Sequence, residues 1–280
     1  MATDPRVSLL LALADDELIL GHRLSEWTGW VPYVEEDLAL SSIAQDEIAH
    51  GRALYDVCSV LDGRDVDALA LGRAPGEYRH AVICERPNVD FAFTIARQWL
   101  YDTADDVRLS SLASSSFKEL REVVAVLRLE ERYHLEHADA WFTRLASGPV
   151  EAHRRFAAAL GATIGEAAAL FEPFEDEDAL LADGTLPRDS GSLHEEWRAR
   201  VHRALEGAGL ENVLGTRPDA PAGEMIPTSS GEIEPSSADR PTSVTIADGT
   251  GGRRGVHSDD FMPLWEEMTA LYRAHPGARW

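Results

Sequence analysis

Five ionisable residues, Glu17, Glu47, His50, Glu131 and His134, each interrupt an otherwise apolar seam of helical period, and nothing else in the sequence limits its fold so tightly. The first seam, within residues 6–28, runs Leu10, Leu13, Glu17, Leu20, Leu24, Trp27. The second, within 33–61, runs Leu40, Ile43, Glu47, His50, Leu54, Val57, Leu61. A third of the same kind, within 117–146, runs Leu120, Val124, Leu127, Glu131, His134, Ala138, Trp141, Leu145. Three- and four-residue spacing marks the face a helix turns to a core. A carboxylate on such a face is costly unless a metal, an arginine, hydrogen bonds or a proton neutralises it. The chain therefore has to fold so that these groups meet partners.

Glu47-x-x-His50 and Glu131-x-x-His134 place a carboxylate and an imidazole on one helix face, about 5 Å apart along the axis. Two helices each carrying this pair are what a di-iron carboxylate bundle needs. The motif alone is weak evidence, since about one such spacing is expected by chance in a chain this rich in glutamate and histidine. A further match, Glu77-x-x-His80, follows Pro75-Gly76 in a connector and reads as a pair of surface residues. His22, His137 and His153 have no partner at ligand spacing and read as solvated or locally hydrogen-bonded.

If the first two helices form an antiparallel hairpin about Val31, Glu17 and Glu47 lie at the same level. A helix over 89–114, with Phe91, Ile95, Gln98, Asp102, Asp106 and Leu109 on one stripe, pairs with 117–146 through Ser114-Ser115-Ser116. The level of Glu131 then falls within a turn of Asp102, for which Asp105 or Asp106 are alternatives. Glu17, Glu47, His50, Asp102, Glu131 and His134 converge on the middle of a four-helix bundle, as a donor set suited to iron, manganese or zinc. The competing expectation is a polar network of the same groups with Arg97.

Residues 62–88, broken by Gly63, Gly72, Pro75, Gly76 and Pro87, are too long for a tight turn and suit a crossover between the hairpins. Helices are expected over 151–182, 193–207 (Ser192 and Glu195 as a capping box) and 258–274. Residues 211–252, rich in Pro, Ser, Thr and Gly, read as a flexible insertion. The fold expected is all-α and a single domain over 1–280. It comprises a core bundle in 1–148, accessory helices in 151–207 and a C-terminal helix. No strand is expected.

A formal net charge of -23 excludes a nucleic-acid partner and disfavours an anionic membrane. No apolar run is long enough to span a bilayer and the start lacks a leader pattern, so a soluble, cytoplasmic protein is expected. Lys118 is the single lysine, and so acidic a surface suits high salt. Cys58 and Cys84 form no framework and read as reduced thiols. No glycine-rich nucleotide loop or activated nucleophile stands out. Arg253 and Arg254, within Gly251-Gly252-Arg253-Arg254-Gly255, are candidates to bind an anion.

Four blocks in order carry a family resemblance: Leu18–Trp27, Ile95-Ala96-Arg97-Gln98, Arg132-Tyr133-His134-Leu135 and Gly251–His257, with the likeness continuing to Trp280. Through them the chain resembles the structural (C) subunits of the ring-1,2-phenylacetyl-CoA epoxidase. The resemblance implies a ferritin-like subunit that pairs with a homologous catalytic subunit. In that system the catalytic partner holds the di-iron centre and epoxidises the aromatic ring of phenylacetyl-CoA with O₂, on electrons from a reductase component, while the structural subunit is a scaffold that has lost its metal ligands. This sequence departs from that pattern by keeping Glu, His or Asp at all six bundle positions. Two expectations follow. One is a non-catalytic scaffold whose partner carries the iron. The other is an oxidase or oxygenase with a di-iron or other dimetal centre of its own. Ferritin-like storage would need a closed cage.

Overall fold

The computed structural model describes residues 4–31, 33–215 and 249–278. Among them are ten α-helices and no strand. Helix α1 (Pro5–Ser25) starts at Asp4, whose carboxylate accepts the Arg6 amide, and α2 (Val34–Asp62) returns antiparallel to it and ends on Gly63 in the left-handed region. α5 (Phe91–Leu112) is capped by Asp90 and α6 (Lys118–Ala146) completes the second hairpin. These four helices form the all-α bundle, and one continuous apolar core runs through it and out to the C-terminal helix.

Two glycines set the spacing of the first hairpin. A Cβ on Gly21 would lie 2.8 Å from Ile48 Cγ1 and 3.0 Å from the Ala44 carbonyl oxygen, and one on Gly51 3.0 Å from the Ala14 carbonyl oxygen. Their bare backbones let α1 and α2 approach closely. They stand one turn beyond Glu17 and Glu47, on opposite helices, so the two carboxylates are pressed together.

The crossover is more structured than its broken pattern suggests. It holds α3 (Val66–Leu71), a 3-10 turn (Pro75–Glu77) and α4 (Val82–Glu85). The surface reading of Glu77 and His80 holds for only one of them. Glu77 is exposed and its side chain caps the Ala74 amide at 2.7 Å, but His80 is completely buried.

The expected helix over 151–182 is two helices. α7 (Val150–Ala167) tightens into a 3-10 turn (Ala168–Phe171) and stops before Pro173, and α8 (Glu177–Ala182) follows. Proline has no amide hydrogen and disfavours helical backbone in its predecessor, so the break is local chemistry. α9 (Ser190–Gly207) begins three residues earlier than expected, because Asp189 rather than Ser192 is its cap; Asp189 Oδ1 accepts the Ser192 amide at 2.9 Å. α7 and α9 cover the outer side of α5, where Trp197 Nε1 donates to Thr103 Oγ1 at 3.1 Å. That cover explains why α5 is buried almost all round and lacks a clean apolar stripe.

Most of the insertion expected over 211–252 lies outside the described residues. Glu211–Gly215 form a 3-10 turn, and Gly249, Gly251, Gly252 and Arg253 pack inward. α10 (Phe261–Ala274) closes the fold against α3 and the 3-10 turn of the crossover.

Arg253 and Arg254 do not form the expected site for an external anion. Arg253 is buried and its anion is internal: Nη1 and Nη2 donate to Asp16 Oδ1 and Oδ2 at 2.9 and 2.8 Å. The same two nitrogens also reach the carbonyls of Ala12, Arg79 and Leu170. Arg254 is exposed and pairs with Glu172 at 2.5 Å.

Candidate metal centre

Glu17 on α1, Glu47 and His50 on α2, and Glu131 on α6 bring one ligand atom each to within 4.8 Å of one another. His134, one turn beyond Glu131, joins them with Nδ1 3.3 Å from Glu131 Oε1 and 3.6 Å from Glu47 Oε1. His50 Nδ1 lies 3.0 Å from Glu131 Oε1 and 3.5 Å from Glu17 Oε2. Asp102 sits at the margin of the group. Its Oδ1 accepts Gln98 Nε2 at 2.5 Å, and that amide also reaches Glu47 Oε1 at 3.4 Å. All six residues are buried, none more than 5% exposed. Arg97, the cation considered for a purely polar network, points elsewhere, to the Arg86 carbonyl and to Asn88 Oδ1.

The two histidines are anchored crosswise. His50 Nε2 meets Glu130 Oε2 at 2.8 Å, and His134 Nε2 meets Asp46 Oδ2 at 3.3 Å. Each ring is thus held by the acid that immediately precedes the glutamate of the opposite helix. With the ring proton on Nε2 in both, the Nδ1 lone pairs face inward together. An outer carboxylate that fixes the tautomer in this way is the usual support of a metal-bound imidazole. Asp46 and Glu130 are not among the residues that spacing singles out, although both stand directly before the motif in Asp46-Glu47 and Glu130-Glu131. Spacing also misses Tyr101, whose hydroxyl donates to Glu17 Oε1 at 3.0 Å.

Whether these residues suit a metal can be judged from their own hydrogen bonding. Glu17 Oε2, Glu47 Oε2, Asp102 Oδ2, both carboxylate oxygens of Glu131, and Nδ1 of His50 and His134 are buried and receive no hydrogen bond from the protein. A buried polar atom without a partner costs ~1–3 kcal/mol, more when charged. Those of Glu17, Glu47, His50, Glu131 and His134 cluster together and form a donor set that a hard or borderline cation satisfies, with Asp102 Oδ2 unpartnered at the margin. The residues fit a bound metal.

The electrostatics show what happens without a cation. Burial, and the carboxylates of Glu17 and Glu131, push the Glu47 carboxyl well above its ordinary range. Burial and Glu131 do the same to Asp102. On Glu131 burial is outweighed by His134 and His50, which hold it down at about 2. On the imidazoles burial opposes charge, but Glu131 and Glu17 push His50 up to about 11 and Glu131 pushes His134 up to about 9. The metal-free centre therefore balances itself with protons, as imidazolium against carboxylate.

A second layer lies behind it. Asp105, buried on α5, has Oδ1 on Arg108 at 2.8 Å and Oδ2 without a partner. Arg108 also donates to Asp16 Oδ2 at 2.7 Å, and Arg253 closes the row on Asp16.

A family model described as "Phenylacetic acid catabolic protein" matches residues 1–221. The chain belongs to that family. It is also similar to the C subunit of 1,2-phenylacetyl-CoA epoxidase from Escherichia coli (strain K12), with 30% identity over 271 residues that span 96% of this chain and 97% of that protein. The two thus match along nearly their whole lengths, and the all-α bundle is the fold of a ferritin-like protein. Among the described residues no helix is long and apolar enough to cross a membrane.

Proposed function

We propose that this chain is the structural, non-catalytic subunit of a multicomponent monooxygenase that epoxidises the ring of phenylacetyl-CoA in the aerobic breakdown of phenylacetate. It would act in the cytoplasm, in a heteromer with a homologous catalytic subunit that carries iron and substrate and takes electrons from a reductase component. The observation that carries this reading is the likeness, over nearly the full length of both chains, to the C subunit of an epoxidase. The test is co-expression with a homologous catalytic subunit and assay of phenylacetyl-CoA turnover. A stable heteromer whose turnover survives Glu47→Ala is expected, with no turnover by this chain alone. Loss of turnover with the heteromer intact would refute the scaffold role.

The unsatisfied lone pairs favour a second reading, in which the chain binds a dimetal group itself and works as an oxidase or oxygenase. Glu17, Glu47, His50, Asp102, Glu131 and His134 would hold it. When bound, such a group supplies activation of O₂. The chain's own part is positional: Asp46 and Glu130 fix the imidazoles, Tyr101 holds Glu17, and the apolar seams around them exclude water. Anaerobic reconstitution with ferrous iron should give about two equivalents per chain. Iron well below one equivalent, unchanged by Glu47→Ala/His50→Ala, would refute this reading and leave the first standing.

A further inference from the structure

A second buried cluster joins the crossover to the segment that leads into α10. His80 Nε2 lies 2.6 Å from Glu85 Oε2, and His257 Nδ1 approaches the same oxygen at 3.0 Å. The other carboxylate oxygen, Oε1, accepts the Ser258 amide at 2.6 Å. The two imidazoles stack at 4.1 Å with 13° between their planes, and Phe261 of α10 packs on both rings at 4.5 and 4.7 Å.

The ring geometry decides what the cluster can hold. Nearly parallel rings send their lone pairs side by side, whereas two histidines bound to one metal converge on a point. The three ligand atoms lie within 4.8 Å of one another, and the parallel stack suits protons shared with Glu85 rather than a single ion. His257 Nε2 faces the Tyr78 carbonyl at 3.1 Å while its Nδ1 faces Glu85, so both nitrogens look at acceptors. His257 thus lies between the Tyr78 carbonyl and Glu85. His80 needs only the single proton it shares with Glu85, and its Nδ1, buried, has no acceptor to take another. A further proton on His80 would leave a charged, buried N–H with no acceptor.

We propose that His80, Glu85 and His257 form a clasp, closed at neutral pH and opened by acid, that docks residues 251–261 onto the bundle and so controls whether Arg253 reaches Asp16. The segment is built to be docked as a unit. A Cβ on Gly252 would overlap the His80 carbonyl oxygen, and one on Gly255 the Gly76 carbonyl oxygen. The Gly251 amide donates to Glu172 Oε2 at 2.8 Å. Arg253 enters the core four residues before His257.

Charged groups reach the clasp from every element packed on it, including Asp259 within the docked segment, Arg79 beside His80 and against Gly255, and Asp16 on the Ala81 amide. From the crossover come Tyr78 and, beside Glu85, Arg86, which pairs with Asp260 at 2.8 Å. From α1 come Asp15, which favours charge on His80, and Arg23, which donates to the Glu85 carbonyl at 2.8 Å and to the Asp260 carbonyl at 3.1 Å. Burial and the His257 ring outweigh Asp15 and Glu85 and hold the His80 imidazole below its ordinary value. The sign follows: the stabilisation is fully present above the ordinary imidazole value near 6.5 and is lost as pH falls through the lowered one.

Hydrogen exchange of the full chain, corrected for intrinsic exchange and followed from pH 7.5 to 5, tests this. The amides of 255–261 should lose protection by up to about tenfold per pH unit once His80 titrates, while those of α5 and α6 keep theirs. His80→Phe keeps an aromatic ring in the stack without a titrating group, and should abolish the pH dependence. Glu85→Gln should open the segment already at pH 7.5. Flat protection in the wild-type chain, the same acid response in His80→Phe, or an equal loss throughout the bundle would each overturn the clasp. So would one equivalent of zinc per chain that His80→Phe removes.

Discussion

Replacing Arg253 by methionine removes a buried cation but keeps most of the side chain's bulk. The guanidinium makes five contacts, two to Asp16 and three to the carbonyls of Ala12, Arg79 and Leu170. Burial works against a charge on Asp16, and Arg253 and Arg108 together hold its carboxyl below the ordinary range. Removing one partner of a buried pair costs ~3–5 kcal/mol, because the other charge stays behind. Arg108 remains within 2.7 Å of Asp16, which places the expected loss at the lower end, about 3 kcal/mol. That is a large share of the ~5–15 kcal/mol by which domains are stable. With a urea m-value of about 3 kcal/mol/M, the unfolding midpoint should fall by about 1 M at unchanged m. Arg254→Met is the control: its partner is Glu172 and its side chain is 64% exposed, so a change within ~0.5 kcal/mol is expected. In a double-mutant cycle with Asp16→Asn, the two losses should be less than additive by at least ~1 kcal/mol. A loss under about 1 kcal/mol for Arg253→Met would show that Arg108 alone satisfies Asp16 and that the reasoning about this row is wrong.

Glu47→Gln should raise the melting temperature of the metal-free chain by a few degrees, ~2–4 °C per kcal/mol recovered, since burial with Glu17 and Glu131 disfavours its charge; a lower melting temperature in chelator would count against it. The metal-free chain should also lose stability on going alkaline. His50 and His134, raised to about 11 and about 9, contribute fully below 6.5 and lose that contribution as pH rises through those values. Raised Glu47 acts in the same direction, contributing as a neutral acid and losing it with rising pH. A urea midpoint in chelator that is flat between pH 7 and 10 would refute this. Finally, burial and, secondarily, Asp62 push the Cys58 thiol up to about 12, and burial pushes Cys84 well up too. Neither should react with a thiol reagent at pH 8 in the folded chain, and both should after denaturation; rapid labelling of either in the native state would be the contrary result.

The seams are legible because a helix repeats every 3.6 residues and a misplaced charge is conspicuous against leucine. The levels of Glu17 and Glu47 follow from simple counting about the turn. What counting cannot supply is contact between elements distant in sequence. His80 reads as a surface residue because its neighbours are Pro75, Gly76 and Glu77; its burial depends on His257 and Phe261, more than 170 positions away. Arg253 reads as part of a basic turn because its anion, Asp16, is on the first helix. The crosswise anchors Asp46 and Glu130 are within reach of a closer look at the motif, as the acid preceding each glutamate. The break before Pro173 is likewise visible, though the apolar residues beyond it obscure it. α5 is the opposite case: its mixed pattern reflects cover by α7 and α9, which no local window contains.

The crossed attachment of the two histidines means that neither hairpin owns a complete half of the centre. A hairpin carrying α1 and α2, transplanted into a related bundle, would arrive with His50 untethered unless the recipient offered an acid at the place of Glu130, and its Asp46 would need a histidine to serve. Exchange between relatives is thus constrained to the pair of helices α2 and α6 together. Drift at one motif has to be answered at the other, so this interior can be kept or dismantled only as a whole.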